Sequence, residues 1–284
     1  MGQGRGEGRS GKVWHPVFRR DRLPPHMSSS AGIRLLSTDF DGTIHEDFAE
    51  PRIPLALQAR IADFQSRGGI WVINTGREMA SLMESLGRGH VTVQPDYLIL
   101  VEREIYRRDH GRYLPVEPWN TRCTEDHSAV FRSVDQGITR LMEGLATRHD
   151  ATFYQDAFSP LCAIARSNPQ MDAIQSELEA FCSAVSGLAV VRNDVYVRLS
   201  HVGYSKGTAL SELGRILGIG PEGRMAAGDH LNDLPMLQRV HAHRLVAPSN
   251  ALPTVREQVL REGGWVASKP AGHGVLEALE LWGI

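Results

Sequence analysis

The stretch Leu35-Leu36-Ser37-Thr38-Asp39-Phe40-Asp41-Gly42-Thr43 limits most tightly what this chain can become. An apolar run of strand type stops abruptly at two aspartates, a glycine and a threonine. Isolated charge is costly away from water, so the run reads as a buried strand whose acidic end opens on a site. Residues i and i+2 of a strand share a side, which places the carboxylates of Asp39 and Asp41 close together at the C-terminal edge. Ligands of open α/β sheets bind at that edge. Like charges so close call for a cation, and hard oxygen donors suit Mg²⁺. Taken alone, the stretch also reads as an acidic turn, since Asp and Gly are common turn formers.

The chain that follows has the rhythm of a parallel sheet. Pro54 to Arg67 carries Leu55, Leu57, Ile61 and Phe64 near helical spacing and closes at Gly68-Gly69. Ile70–Ile73 reads as a strand broken by Asn74-Thr75-Gly76-Arg77, Glu78–Leu86 as a helix closed by Gly87, and Tyr97–Val101 as a strand. Such alternation implies right-handed βαβ units. From about Asp109 to Val195 the pattern changes. Phe131, Val134, Ile138, Leu141 and Leu145 form a helical stripe within Glu125–Arg148. Ala151–Asp156 and Leu161–Arg166 read as strands, Met171–Val185 as a helix, and Leu188–Arg192 and Val195–Leu199 as strands about a turn at Asn193-Asp194. This is an inserted antiparallel sheet with two helices. The first rhythm returns at Lys206, with a strand at Arg224–Gly228, helices at Leu234–Val240 and Ala251–Glu262, strands at His243–Ala247 and Trp265–Ala267, and a last helix at Val275–Leu281.

The 284 residues, 42% apolar and 23% charged, leave room for a large core in two lobes. A net charge of −2 gives no reason to expect nucleic acid. The first 30 residues hold Arg5, Arg9, Lys12, Arg19, Arg20 and Arg22 against Glu7 and Asp21. They lack an apolar signal core and are expected to be a disordered basic extension, with Met27 an alternative start. Cys123, Cys162 and Cys182 have no Cys-x-x-Cys spacing and fit free thiols in a reducing compartment. No apolar run is long enough to span a membrane. A cytoplasmic monomer or homodimer is the expectation.

Four polar signals fall at the ends of different strands or at helix starts: Asp39/Asp41, Thr75, Lys206 and Asp229/Asp233. Singly, Thr75 reads as a turn hydroxyl, and Gly228-Asp229-His230-Leu231-Asn232-Asp233 also reads as a capping turn. Lys206 opposes the dipole at a helix start, which hints at a nearby anion. Together they suit phosphoryl transfer. A carboxylate can attack phosphorus, a hydroxyl and an ammonium can hold the non-bridging oxygens, and a divalent cation offsets anion–anion repulsion.

In this arrangement the chain resembles the haloacid dehalogenase-like superfamily of phosphatases, in its Cof-type branch. Asp39-Phe40-Asp41-Gly42-Thr43 is similar to the first motif, Thr75-Gly76-Arg77 to the second, Ser205-Lys206-Gly207-Thr208-Ala209-Leu210 to the third, and Gly228 to Leu237 to the fourth. The closing Gly274-Val275-Leu276-Glu277-Ala278-Leu279 is also similar. Val101-Glu102-Arg103-Glu104 departs from the Asn-Gly pair usual there.

The resemblance implies an α/β fold, a Rossmann-like parallel-sheet core at 31–108 and 196–284, and an α+β cap of C2 type at 109–195. It implies Asp39 as nucleophile and Mg²⁺ ligand, and Asp41 as general acid/base with its backbone carbonyl on the ion. Asp229 is then the further ligand. Thr75, Gly76, Lys206 and Asn232 bind the phosphoryl group, and Lys206 pairs with Asp39. Asp233 orients Lys206 or a metal-bound water, with Gly42 and Arg77 supporting. Asp41 needs a raised pKa to give up a proton near neutrality, and its anionic neighbours are expected to push it up.

The expected activity is Mg²⁺-dependent hydrolysis of a small phosphorylated metabolite, a sugar phosphate by resemblance. A phosphomutase or phosphotransferase, a phospho-receiver module and an inert binding protein remain as alternatives. Arg122, His127, Asn193 and Arg198 are the polar candidates within the cap.

Overall fold

The computed structural model describes residues 32–284. The expected disordered extension at 1–30 and the alternative start at Met27 lie outside the described residues. The alternating apolar runs pair into one eight-stranded sheet. Its strands are β1 (Leu35–Thr38), β2 (Ile70–Asn74), β3 (Tyr97–Leu100), β4 (Glu104–Asp109), β5 (Arg112–Pro115), β10 (Arg224–Ala227), β11 (Arg244–Ala247) and β12 (Trp265–Val266). The spatial order is β12-β11-β10-β1-β2-β3-β4-β5. From β12 to β3 every pair is parallel, and β4 and β5 are antiparallel additions.

Neighbouring residues of a buried strand feed opposite faces. Leu36 joins a core with Trp71, Ile73, Leu98 and helices α1 (Leu55–Ser66), α2 (Met79–Arg88) and α7 (Ala271–Leu281). Leu35 joins a second core with Val72, Ile99 and helices α5 (Lys206–Leu217) and α6 (Pro253–Arg261). Chain order runs outward from β1 in one direction as β2 and β3, and in the other as β10, β11 and β12. The switch therefore lies between β1 and β10, where open α/β sheets bind ligands.

A second sheet, ordered β6-β7-β9-β8, comprises β6 (Thr152–Tyr154), β7 (Cys162–Ile164), β8 (Leu188–Asn193) and β9 (Tyr196–His201) and is antiparallel throughout. Helices α3 (Trp119–Arg148) and α4 (Asn168–Ser183) cover it through Ile138, Leu145, Ile174 and Leu178.

The elements differ from the sequence reading at several seams. β5, expected in the insert, pairs in the large sheet; β9 pairs in the small one, as the strand reading of Val195–Leu199 has it, and so crosses the bound at 195. Helix α3 starts at Trp119, six residues before its apolar stripe suggests, and α2 passes through Gly87 to end at Arg88. No α-helix forms over Leu234–Val240. Instead a 3₁₀ turn at Leu231–Asp233 leads into further turns. There the Asp233 carboxylate takes the amides of Asp229 and His230, which fixes the backbone in a loop. The small sheet and its two helices together run from Trp119 to His201.

Candidate active site

Three adjacent parallel strands deliver the expected residues to one edge. β1 ends in Asp39, β2 in Thr75, and β10 in Asp229 through Gly228. Helix α5 brings Lys206 from below the edge, its first turn fixed by reciprocal hydrogen bonds of Ser205 and Thr208. Lys206 is fully buried, and its Nζ donates to Asp39 Oδ1 and to Asp233 Oδ1, each at 2.6 Å. Burial alone would strip its proton; the charges of Asp233 and Asp39 more than offset this and hold the ammonium. Asn74 Nδ2 donates to the Lys206 carbonyl at 3.0 Å, tying α5 to β2.

Carboxylate oxygens of Asp39, Asp229 and Asp233 lie within 4.8 Å of one another, all buried. One ammonium cannot balance three carboxylates. Burial and repulsion from Asp233 and Asp229 push Asp39 well above the usual range despite Lys206. Burial and Asp233 push Asp229 up to about 7, against the hydrogen bond from Thr43 Oγ1 at 2.6 Å. Crowded hard donors with this charge deficit fit a divalent cation such as Mg²⁺. Asp233 is the least free of the three: one oxygen takes Lys206, the other the amides of Asp229 and His230. That leaves Asp39 and Asp229 as the carboxylates with open coordination.

The carboxylate of Asp41 is not in this cluster. Arg77 grips it in a fork, Nε to Oδ2 at 2.6 Å and Nη2 to Oδ1 at 2.7 Å, while Ser81 and Ser85 hold the remaining guanidinium nitrogen. Burial would raise Asp41, but His45 and the Arg77 fork together outweigh it and leave the acid at about 2. His45 Nδ1 stands 3.5 Å away without making a hydrogen bond. The expected upward push from anionic neighbours is therefore overturned, because a bidentate guanidinium contact favours the charged form.

Two glycines are set by the site. Gly42 has φ +74°, and a Cβ there would collide with the Asp229 carboxylate. A Cβ at Gly76 would crowd Glu102 Oε1 at 3.1 Å. Thr75 is buried and its Oγ1 accepts from the Arg77 amide at 3.2 Å, leaving the hydroxyl proton to donate. Asn232 Nδ2 donates to Glu102 Oε1 at 3.0 Å.

Thr43 and Asn74 escaped assignment from sequence, although Thr43 stood inside the first motif. Glu102 was visible there only as a departure. Of the cap candidates, Arg122 is a surface group 3.8 Å from Glu212. Asn193 ends β8 opposite Tyr196. His127 is buried between α3 and β9, and Arg198 reaches the core at Glu102 and Val101.

The chain is similar to several known proteins. The family model described as haloacid dehalogenase-like hydrolase matches residues 144–279. A phosphoglycolate phosphatase from Methanoculleus marisnigri is 40% identical over 86 residues, 30% of this chain; the match spans about a third (34%) of that relative's length. Among solved structures, the sucrose-phosphatase from Synechocystis sp., in complex with sucrose and phosphate, superposes with a TM-score of 0.67 at 19% identity, covering 89% of this chain and 98% of that one. A phosphatase of the haloalkanoate enzyme superfamily from Bacteroides thetaiotaomicron gives 0.60 at 21% identity, covering 92% and 98%. A haloacid dehalogenase-like hydrolase from Bacillus subtilis gives 0.58 at 19% identity, covering 89% and 91%. At such identities these structures bear on the fold.

Proposed function

We propose that the chain is a member of the haloacid dehalogenase-like superfamily and, on that premise, a Mg²⁺-dependent phosphomonoester hydrolase working through an aspartyl-phosphate. Its substrate is then a small phosphorylated metabolite, with a sugar phosphate as the expected class. The observation that carries this reading is the buried set Asp39–Lys206–Asp233 with Asp229 beside it. A surface carboxylate cluster needs no buried lysine, whereas a nucleophile facing an anionic ester needs its charge balanced. The phosphatase relative over residues it shares with this chain agrees.

Asp39 attacks phosphorus through one carboxylate oxygen while Lys206 holds the other. Thr75, the Gly76 amide and Asn232 hold the non-bridging oxygens. Asp39 and Asp229 are the side chains that would hold Mg²⁺, with the Asp41 carbonyl. When bound, the ion offsets the repulsion between nucleophile and substrate. Asp233 fixes Lys206 and the loop that carries Asp229. Asp41 gives a proton to the leaving oxygen and later takes one from the attacking water. The Arg77 fork keeps it in the base form suited to the second half. The first half requires the doubly charged ester to raise its pKa.

Asp39→Asn is expected to abolish Mg²⁺-dependent phosphate release from p-nitrophenyl phosphate, and EDTA to silence the unaltered chain until Mg²⁺ is returned. Normal turnover in the variant removes the nucleophile assignment; unchanged rates in chelator remove the metal. A phosphomutase on the same site would pass the phosphoryl group to a second hydroxyl, and assay of free phosphate separates the two.

A further inference from the structure

Val101 and Glu102 follow β3 with φ of +44° and +67°, two successive non-glycine residues in the left-handed region. Such backbone persists only where its surroundings impose it, and it concentrates at functional sites. Here the Val101 amide donates to the Arg77 carbonyl at 3.1 Å and the Glu102 amide to the Thr75 carbonyl at 3.0 Å. The strained turn is thus bolted to the loop proposed to hold the phosphoryl group. It buries Glu102 to 6% exposure.

Glu102 joins the two lobes. Its Oε1 accepts from Asn232 on the core, and its Oε2 lies 3.3 Å from Arg198 Nη2 on strand β9 of the insert. Arg198 also donates to the Val101 carbonyl. With Lys206 and Asn232, Glu102 borders a cavity of about 230 Å³ whose opposite wall is Gln175, Val191 and Arg192 of the insert. The cations around this space are already engaged. Lys206 serves Asp39 and Asp233, and Arg192 serves Asp172, Gln175, Asn168 and the Asp194 carbonyl. One polar atom of this lining, the acceptor Asn232 Oδ1, is buried and without a partner; Arg198 Nε also lacks one, but Arg198 does not line the cavity. Side chains this buried ordinarily find partners, and the free oxygen of Asn232 beside a cavity marks where a donor from a ligand completes the set.

Building on the phosphatase reading, we propose that Glu102 selects the leaving group. Its carboxylate accepts a hydroxyl of a neutral, hydroxyl-bearing leaving group and excludes a leaving group with its own carboxylate. Arg198 and Asn232 hold Glu102 in place for this. One hydroxyl donates to Glu102, and a second donates to the free oxygen of Asn232. A carboxylate at the same place faces a fixed like charge with no unpaired cation in the wall.

The test uses the full chain with Mg²⁺ and measures kcat/KM for glycerol phosphate, 2-phosphoglycolate and p-nitrophenyl phosphate. The unaltered chain is expected to favour glycerol phosphate over 2-phosphoglycolate by about 10-fold or more, the scale of one charged contact. Glu102→Gln keeps the shape and removes the charge, and should shift that ratio toward 2-phosphoglycolate by about 10-fold. Glu102→Asp keeps the charge and should keep the preference. A purely structural Glu102 moves all three substrates together and leaves the ratio unchanged, which overturns the proposal. So does a preference of the unaltered chain for 2-phosphoglycolate, or the same shift in both variants. Should Glu102→Gln fail to fold, the ratios for the unaltered chain and Glu102→Asp decide. Turnover of p-nitrophenyl phosphate without discrimination between the other two overturns the Glu102 assignment alone. No phosphate release from any ester overturns the phosphatase reading with it.

Discussion

Arg77, with His45 beside it, favours the charged form of Asp41. Its fork is bidentate and itself braced by Ser81 and Ser85, so Asp41 has both a fixed direction and a depressed pKa of about 2. If Asp41 is the proton donor, Arg77 sets a compromise: it orients the acid and makes it reluctant to hold its proton. Arg77→Met should separate the two effects. The kcat is expected to fall by about 10-fold or more, since an unbraced acid loses its orientation. The alkaline limb of the pH–rate profile should move to higher pH, because a general acid with a higher pKa stays protonated further. Loss of rate with an unmoved limb would mean that Arg77 acts elsewhere. That Asp39, Asp229 and Lys206 converge on one sheet edge was readable, because strand ends and helix starts are local features. The Asp41–Arg77 pair and the Glu102–Arg198 pair were not. Their partners lie 36 and 96 residues apart, and which charge meets which depends on loops that no periodicity describes.

Helix α3 meets strand β9 through one neutral imidazole. His127 Nδ1–H donates to the Cys123 carbonyl, one turn back, at 2.7 Å. Its Nε2 accepts from the His201 amide at 3.1 Å and stands 3.2 Å from Ser200 Oγ. A proton on Nε2 would break the contact with His201. Burial, with Arg103 nearby, accordingly lowers the His127 pKa to about 3. The unfolded chain takes up this proton near pH 6.5 and the folded chain only near 3. The stability His127 provides is therefore full above about 6.5 and drains away as pH falls between those values. His127→Gln should flatten that part of the stability curve in urea unfolding from pH 7 to pH 4, although it lowers the value at pH 7. An equally steep decline in the variant would assign the acid sensitivity to another group. At this scale the sequence spoke clearly where apolar period and length agreed, as in β1, β2 and the later turns of α3. It misled at Leu234–Val240, whose apolar spacing suits a helix but whose neighbour Asp233 spends its carboxylate on loop amides. It also misplaced β5, since a short, mostly exposed strand carries little pattern to show which sheet it joins.

Across the whole molecule, the site stores repulsion that the rest of the fold must outweigh. Asp39, Asp229 and Asp233 come from the ends of two neighbouring strands and the turn that follows, and Lys206 neutralises only one of them. Asp229 shows the sign of the effect. Its pKa is raised to about 7 in the folded chain, so the folded form holds its proton more tightly than the unfolded one. Without metal, that contribution is greatest below about pH 4 and is lost as pH rises through 7. A divalent cation acts in the opposite sense, since it binds the ionised carboxylates of the folded chain. At a concentration a hundredfold above its dissociation constant it adds about 2.7 kcal/mol, or several degrees in melting temperature for a chain of this size. Mg²⁺ should therefore raise the melting temperature clearly at pH 8 and far less at pH 5. Asp229→Asn sharpens the argument. It removes one uncompensated charge, and the new amide oxygen can still accept from Thr43. The metal-free melting temperature at pH 8 should rise by a few degrees while the Mg²⁺-induced shift shrinks, because a site strained for function gives up stability. A variant that melts lower than the parent without metal, yet still responds fully to Mg²⁺, would show that Asp229 neither contributes the repulsion nor holds the ion.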